Sequence, residues 1–561
     1  MVIRRMRALA VVAGLAAMPA TAQTHAGPYL AARTAAMNHD YAAAADWFRT
    51  AIGNDPRNPM LLENAVTALL SIGDFEDALP LAERMRELDV DSQVARMVIQ
   101  QEAARQGDWD AVLEMYEAGL EIGPLVDGLA QAWALVGQGR MDRALTAFDE
   151  VIGTRGLRGF GLCHKALALA SVGDFEAADA VFVEAFEAGG PIGRNLVLAH
   201  AQVLSQLDRP DAALERLEML GGGAETGLDA LRDRLAAGET LPWDVVADAR
   251  EGLAEVYLSV AGALLSEAPE SYVLLYARTA LSLDPDRVEA LLLTAEMLDA
   301  LNRHDLAHEV YAMVPSQDPS YPMAELGRAD VLRRSGETGR ALEVLEQLAG
   351  AHPGLSAVQV TLGDLRRAAG DMAAAEQAYG RAIDLAGSDA SWWLHYVRGI
   401  ARNRMGDWSG AETDFRAALA ISPDQSQVLN YLGYSLVERG EKLEEALGMI
   451  ERAVESQPMN GAIVDSLGWA QFKLGRFDEA VANLERAAEL EPVDPTVNDH
   501  LGDGYWAVGR LTEARFQWQR ALSFDPDAGQ AQRIRAKLEK GLDAVLEAEG
   551  RTSLRRVAGT N

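Results

Sequence analysis

The sequence predicts an all-α superhelical solenoid of about fourteen helix-turn-helix repeats, and three observations predict it. One motif returns about every 34 residues nearly from end to end, in segments such as "TLGDLRRAAGDMAAAEQAYGRAIDL", "SLGWAQFKLGRFDEAVANLERAAELEP" and "HLGDGYWAVGRLTEARFQWQRALSFDP". Each reads as a helix, a tight turn and a second helix. The β-branched alternation that marks strands between turn clusters is missing. At 561 residues the chain has length for several globular domains, yet a repeat array buries its core between neighbouring units and needs none.

Residues 1–22 read as a secretory signal peptide: Arg4, Arg5 and Arg7 are the positive start, Ala8 to Ala17 the apolar run, and Ala20-Thr21-Ala22 the small-residue cleavage site. A spanning helix takes roughly 20 apolar residues and this run is about half that, so cleavage near Gln23 is expected over retention as an anchor. From residue 23 to 220 an N-terminal repeat block places a small residue where the second helix of each unit crosses the first: Ala44, Ala78, Ala144, Ala178 and Ala213, with Val112 in the same slot. The ladder then skips. Residues 221–243, with "GGGAETG", "LDALRDRLAAG" and "ETLPWD", carry loop and turn chemistry around one short helix, and both a hinge and a packed insertion fit them. A longer helix is expected over about Val245 to Glu267.

The C-terminal block, 244–527, resumes the ladder at Val273, Ala307, Ala341, Ala375, Ala411, Ala446, Ala480 and Ala514. Twelve residues earlier on the first helices stand Ala295, Ala329, Gly363, Gly399, Gly468 and Gly502, and two small residues at a crossing let helices approach closely. Bulky fillers follow one turn after the anchors, at Phe48, Tyr116, Phe148, Phe182, Tyr311, Tyr379 and Phe415. Proline stops second helices at Pro56, Pro285, Pro353, Pro423, Pro458, Pro492 and Pro526. Residues 528–561 form a polar capping helix and a flexible tail.

Together these positions match a W-L-G-Y-A-F-A-P pattern, and the chain resembles tetratricopeptide-repeat proteins over nearly all of its mature length. The resemblance implies stacked helix pairs whose first helices line an extended concave surface suited to holding a polypeptide.

Acidic residues number 84 against 51 basic, a net charge of −33, which repels phosphate backbones and anionic lipid surfaces. A protein or peptide with a basic surface is the expected partner; nucleic acid and direct membrane insertion of the mature chain are not. The single cysteine, Cys163, forms no internal disulfide, and Gln23 stands where a lipoprotein anchor needs cysteine. A buried packing role is expected for Cys163. Among nine histidines only His304 and His308 have ligand-like helical spacing, without the glutamate beside the first histidine or the third ligand of a zinc site. No nucleophile elbow and no phosphate-binding loop occurs, so no catalytic residue, cofactor or metal is expected.

On the first helices of the last repeats, "LNYLGYS", "VDSLGWA" and "NDHLGDG" pair positions four residues apart: Asn430 with Tyr434, Asp465 with Trp469, Asp499 with Asp503. Stacked, they make a polar and acidic row beside an aromatic one. Two readings stand: a groove that hydrogen-bonds an extended peptide, or a ladder that holds neighbouring repeats together. Trp393, Tyr396 and Arg404 extend the row one repeat earlier. A lysine-asparagine clamp for a C-terminal carboxylate, known in some relatives, is disfavoured because Asp465, Asp499 and Asp503 would repel it.

The run from "REGLAEVYLSVAGALL" through "LLYARTALSLDPD" to "VNDHLGDGYWAVGRLTEARFQWQRAL" further resembles exported proteobacterial repeat proteins. It is also similar to the lipoprotein adaptors that bring a carboxyl-terminal processing protease to peptidoglycan hydrolases. That resemblance implies a non-enzymatic periplasmic adaptor for a protease or cell-wall enzyme. The alternative is a structural or assembly component of a pilus, secretion or envelope complex.

Overall fold

The computed structural model describes residues 26–188, 193–220 and 226–551, so the predicted leader and most of the tail lie outside the described residues. Among the described residues there are thirty-one α-helices and no strand. The chain divides into two compact units, Met1–Val344 and Leu345–Asn561.

In the first unit the helices are α1 Ala26–Met37, α2 Tyr41–Asn54, α3 Pro59–Ile72, α4 Phe75–Glu87, α5 Gln93–Arg105, α6 Trp109–Glu117, α7 Pro124–Gly137, α8 Met141–Gly153 and α9 Arg158–Ser171. They continue as α10 Phe175–Glu187, α11 Arg194–Gln206, α12 Pro210–Glu218, α13 Thr226–Ala236, α14 Ala249–Leu264, α15 Glu270–Leu283, α16 Val288–Ala300, α17 His304–Tyr311 and α18 Tyr321–Arg334. Helix α19, Thr338–Ala351, carries the chain past the division. In the second unit follow α20 Ser356–Ala368, α21 Met372–Ala386, α22 Trp392–Arg404, α23 Trp408–Ile421, α24 Ser426–Arg439 and α25 Leu443–Ser456. The last are α26 Gly461–Lys473, α27 Phe477–Leu490, α28 Pro495–Ala507, α29 Leu511–Ser523, α30 Ala528–Lys540 and α31 Leu542–Ala548.

Local chemistry sets these boundaries. Asp40, Asp74, Asp108, Asp174, Asp371 and Asp407 each precede a second helix and accept a backbone N–H from its first turn, the usual N-cap role. The crossings are as tight as the ladder of small residues requires: every anchor from Ala44 to Ala514, with Val112 and Val273, is fully buried. A Cβ at Gly363, Gly399, Gly468 or Gly502 would stand 2.6, 2.6, 2.7 or 2.4 Å from the filler of its own repeat, Tyr379, Phe415, Leu484 or Trp518.

First helices of successive pairs also touch one another, α3 on α5 and α7 on α9 in the first unit, α24 on α26 and α26 on α28 in the second. In a curved stack the helices that crowd together lie on the inside of the curve, so these first helices line the inner face of each unit.

In the first unit that inner face is occupied by the chain itself. Helix α14 packs on α7 and α9, and α15 on α3 and α5. Gly252 of α14 admits the Trp133 indole of α7 so closely that a Cβ would meet it at 2.3 Å. Polar groups seal the contact. Tyr257 donates to Gln100 Oε1 at 2.7 Å, Tyr272 to Gln93 Oε1 at 2.8 Å, Gln101 to Ser282 Oγ at 2.6 Å, and Arg278 Nε to the Ser71 carbonyl at 3.2 Å. Farther along, Arg303 Nη1 donates to the His39 carbonyl at 2.7 Å, tying the α16–α17 turn to the α1–α2 turn.

From residue 226 on, the stretch between the blocks is packed within this unit. Helix α13 lies on α12, and α11 holds the following loop: Ser205 Oγ accepts from Leu241 N–H at 2.8 Å, and Gln202 exchanges hydrogen bonds with Asp244. The helix expected over Val245–Glu267 begins later, at Ala249, because Asp248 caps it by accepting from the N–H groups of Arg250 and Glu251. The segment after Pro526, read as one helix, is two. Gly541 takes a left-handed φ of 82°, and a Cβ there would stand 2.6 Å from Trp506.

Candidate functional site

In the second unit the first helices bring the six groove candidates into two columns that step from helix to helix. Asn430, Asp465 and Asp499 form one, Tyr434, Trp469 and Asp503 the other, on α24, α26 and α28. The columns do not end where the sequence reading ended them. Arg533 lies 34 residues after Asp499 and Lys537 34 after Asp503, so α30 adds a basic rung to each.

That rung neutralises the acids. Lys537, fully buried, donates to Asp499 Oδ1 at 2.8 Å and to Asp503 Oδ2 at 2.8 Å. Asp503 Oδ1 also accepts from Trp518 Nε1 at 2.9 Å, and Arg533 Nη1 stands 3.8 Å from Asp503. Burial raises the Asp499 carboxyl above its ordinary value although Lys537 pulls the other way. The capping helix, read as presenting charge outward, thus turns a lysine inward, because two buried carboxylates without a counter-ion would be costly.

One step earlier, Asp465 Oδ2 meets His500 Nδ1 at 2.8 Å, and the imidazole stacks on Trp469 with ring centroids 3.9 Å apart. Burial alone would lower the His500 pKa, but Asp465, with Asp499 and Asp503 beyond it, outweighs burial and raises it above 6.5. Trp469 Nε1 donates to Glu438 of α24, and Lys473 stands 3.5 Å from the same carboxylate. Asp465, Trp469, Asp499 and Asp503 are therefore all buried, each held by a residue of the neighbouring repeat or of its own.

Toward α22 the row opens. Trp393 is 38% exposed, and Tyr396, Tyr431 and Tyr434 are half-buried. Trp393 and Tyr396 have centroids 5.7 Å apart, and Tyr396 meets Tyr431 edge-on at 5.9 Å. Among the described residues neither Asn430 Oδ1 nor Asp465 Oδ1 has a hydrogen-bond partner. Arg404 is exposed. Behind the aromatics, Asp414 of α23 is buried and receives Arg398 Nη2 at 2.6 Å and Arg402 Nη1 at 3.0 Å, which fixes α22 against its partner helix. This end offers flat aromatic area and, in Asn430 Oδ1, one acceptor without a partner among the described residues, the equipment for hydrogen-bonding an extended polypeptide.

His500, Lys537, Arg533 and Glu438 were not singled out from the sequence. The signal was there for two of them: one more step of the same register from Asp499 and Asp503 reaches Arg533 and Lys537. His304 and His308 are half-buried, each against a charged side chain. His304 Nδ1 meets Asp299 at 3.0 Å, and the two ring nitrogens of His308 face Arg328 and Arg340 at 3.2 and 2.6 Å. No group of metal-ligating residues is found among the described residues, and no described helix is long and apolar enough to cross a membrane. Cys163 is half-buried, and burial pushes its thiol up to about 12.

A tetratricopeptide repeat model matches residues 29–92, 274–322, 326–394, 396–461 and 466–531. A TPR repeat-containing protein of Pseudomonas aeruginosa is 29% identical over 172 residues, a match spanning 30% of this chain and 28% of the relative. Among solved structures, the APC/C hetero-tetramer of Cut9 and Hcn1 is 16% identical with a TM-score of 0.36, over 92% of this chain and 96% of that one. YrrB, described as a TPR protein with an unusual peptide-binding site, is 18% identical with a TM-score of 0.29, over 35% of this chain and 98% of its own. With the repeat model matched over more than half of its residues, this chain belongs to the tetratricopeptide repeat family.

Proposed function

We propose that this protein is a non-enzymatic periplasmic adaptor that holds an extended segment of a protein partner on the inner face of its second unit. The observation that carries the reading is the α22–α24 surface, where Trp393 is exposed, Tyr396, Tyr431 and Tyr434 are half-buried, and Asn430 Oδ1 has no partner among the described residues. An unfilled buried acceptor is costly, and a backbone N–H from an extended peptide supplies its partner without demanding a particular side chain. The surplus of 84 acidic over 51 basic residues favours a partner segment with basic side chains. The resemblance to exported adaptors supports a protease or cell-wall enzyme as the partner.

A photo-crosslinking amino acid placed at Trp393 or Tyr434 in living cells tests this. The same envelope protein is expected from both positions, and not from Phe516, which is 63% exposed on α29. Crosslinks that are equally abundant from position 516, or none from 393 and 434, would sink the proposal.

A further inference from the structure

Helices α14 and α15 do not fill the inner face of the first unit completely. Between α9, α11, α14 and α16 they leave an open-mouthed cavity of about 450 Å³, within the range of small-molecule sites. Its walls are apolar, with Phe160, Leu167, Leu196, Leu258 and Leu293 facing the space. Glu255 and Glu289 also line it, but the Glu255 carboxylate is already engaged by Arg287 Nη2 at 3.1 Å and by Asn195 Nδ2 at 3.4 Å.

One lining group is left wanting. His164 is fully buried, and its Nδ1 accepts from Trp133 Nε1 at 3.1 Å. An indole nitrogen only donates, so the imidazole proton sits on Nε2. That Nε2–H has no acceptor among the described residues. Burial lowers the His164 pKa to about 3, so the ring is neutral and offers a single donor. A neutral donor on an apolar cavity selects against carboxylates, which Glu255 and Glu289 repel, and favours an uncharged molecule with an acceptor.

We propose that this cavity binds an uncharged, largely apolar small molecule bearing a carbonyl or ether oxygen, which accepts a hydrogen bond from His164 Nε2. The site lies in the first unit and is independent of the peptide-binding face.

The probe is 6-propionyl-2-(dimethylamino)naphthalene, an uncharged naphthyl ketone, titrated into the full-length protein and followed by its fluorescence. Gly262 of α14 lines the cavity and has no atom within 4 Å of a Cβ built on it, so Gly262→Phe fills the space without backbone strain. Ser259→Phe fills it from one turn away, and Gly262→Ala is the control. Saturable binding is expected to wild type and Gly262→Ala, weakened about tenfold or more in both Phe variants, with thermal melts confirming that each is folded. No saturable binding to wild type, or binding unchanged by both fillers, overturns the site.

Displacement of the probe then isolates His164. 2-Acetylnaphthalene is expected to bind about tenfold more tightly than naphthalene, and equal affinities would remove the histidine from the assignment. Cys163 lines the same cavity and is the chain's one cysteine. Its reaction with 4,4′-dithiodipyridine should slow when the ketone is bound; an unchanged rate places the ligand elsewhere and counts against the proposal.

Discussion

At Gly502 a single methyl group decides whether two helices can cross. A Cβ would stand 2.4 Å from Trp518, whose ring is fully buried and hydrogen-bonded to Asp503. Gly502→Ala is expected to cost about 1–3 kcal/mol, by overpacking. Gly448→Ala, in helix α25 with nothing within 4 Å, should stabilise by about 0.5–1 kcal/mol, both read from urea unfolding. Lys537→Met removes the counter-ion of Asp499 and Asp503, and about 3–5 kcal/mol of stability is expected to go with it. Restoring neutrality with Asp499→Asn and Asp503→Asn in the same chain should recover much of the loss.

His500 gives a pH signature. Its folded pKa lies above 6.5, so its stabilising pair with Asp465 is fully present below 6.5 and is lost as pH rises through the raised value. His500→Gln keeps a hydrogen-bonding side chain but no charge. The gap in melting temperature between wild type and His500→Gln should be wider near about pH 5.5 than near about pH 9. A gap that widens with pH would show that Asp465 does not control the ring.

At the scale of elements, helix α14 packs against α15, α7, α9 and α5. It pairs with α15 and presses on α7 through Gly252. Gly252→Ala drives a Cβ into Trp133, at a cost of about 1–3 kcal/mol, and loosens α14 from the inner face. Hydrogen exchange should rise in α14 and α15 before it rises in α3 or α8. The repeats themselves were legible from their small residues, because a crossing of two helices tolerates so few alternatives. The aspartate caps one residue ahead of the second helices were not singled out from the sequence, although an aspartate just before a helix is a start signal. The inward lysine of α30 was not legible, since a lysine in a charged terminal helix has the same letters whether it faces water or a buried pair of carboxylates. Only the position of Lys537 in the register, 34 residues after Asp503, distinguishes it.

At the scale of the whole molecule, each unit treats its inner face differently. In the first unit α14 and α15 cover the first helices of the N-terminal repeats, and the polar contacts made by Gln93, Gln100 and Arg278 join residues more than 150 positions apart in sequence. A fragment ending at residue 220 would leave that apolar face bare. It is expected to bind hydrophobic dyes and unfold without cooperativity, whereas a fragment ending at Val344 should unfold in one sharp transition by circular dichroism. Equal cooperativity in both would show that the plug contributes little.

The 34-residue period, read without any structure, determined the helical pairs, their crossings and the columns of Asn430, Asp465 and Asp499, because each depends on neighbours one repeat away. What occupies each inner face was decided by tertiary structure alone. Whether Asp499 meets a partner's lysine or Lys537, and whether the N-terminal groove stays open or receives α14, depends on contacts whose sequence separation no period encodes. At the other end of the row Trp393 stays exposed, and no described residue supplies a donor to Asn430 Oδ1.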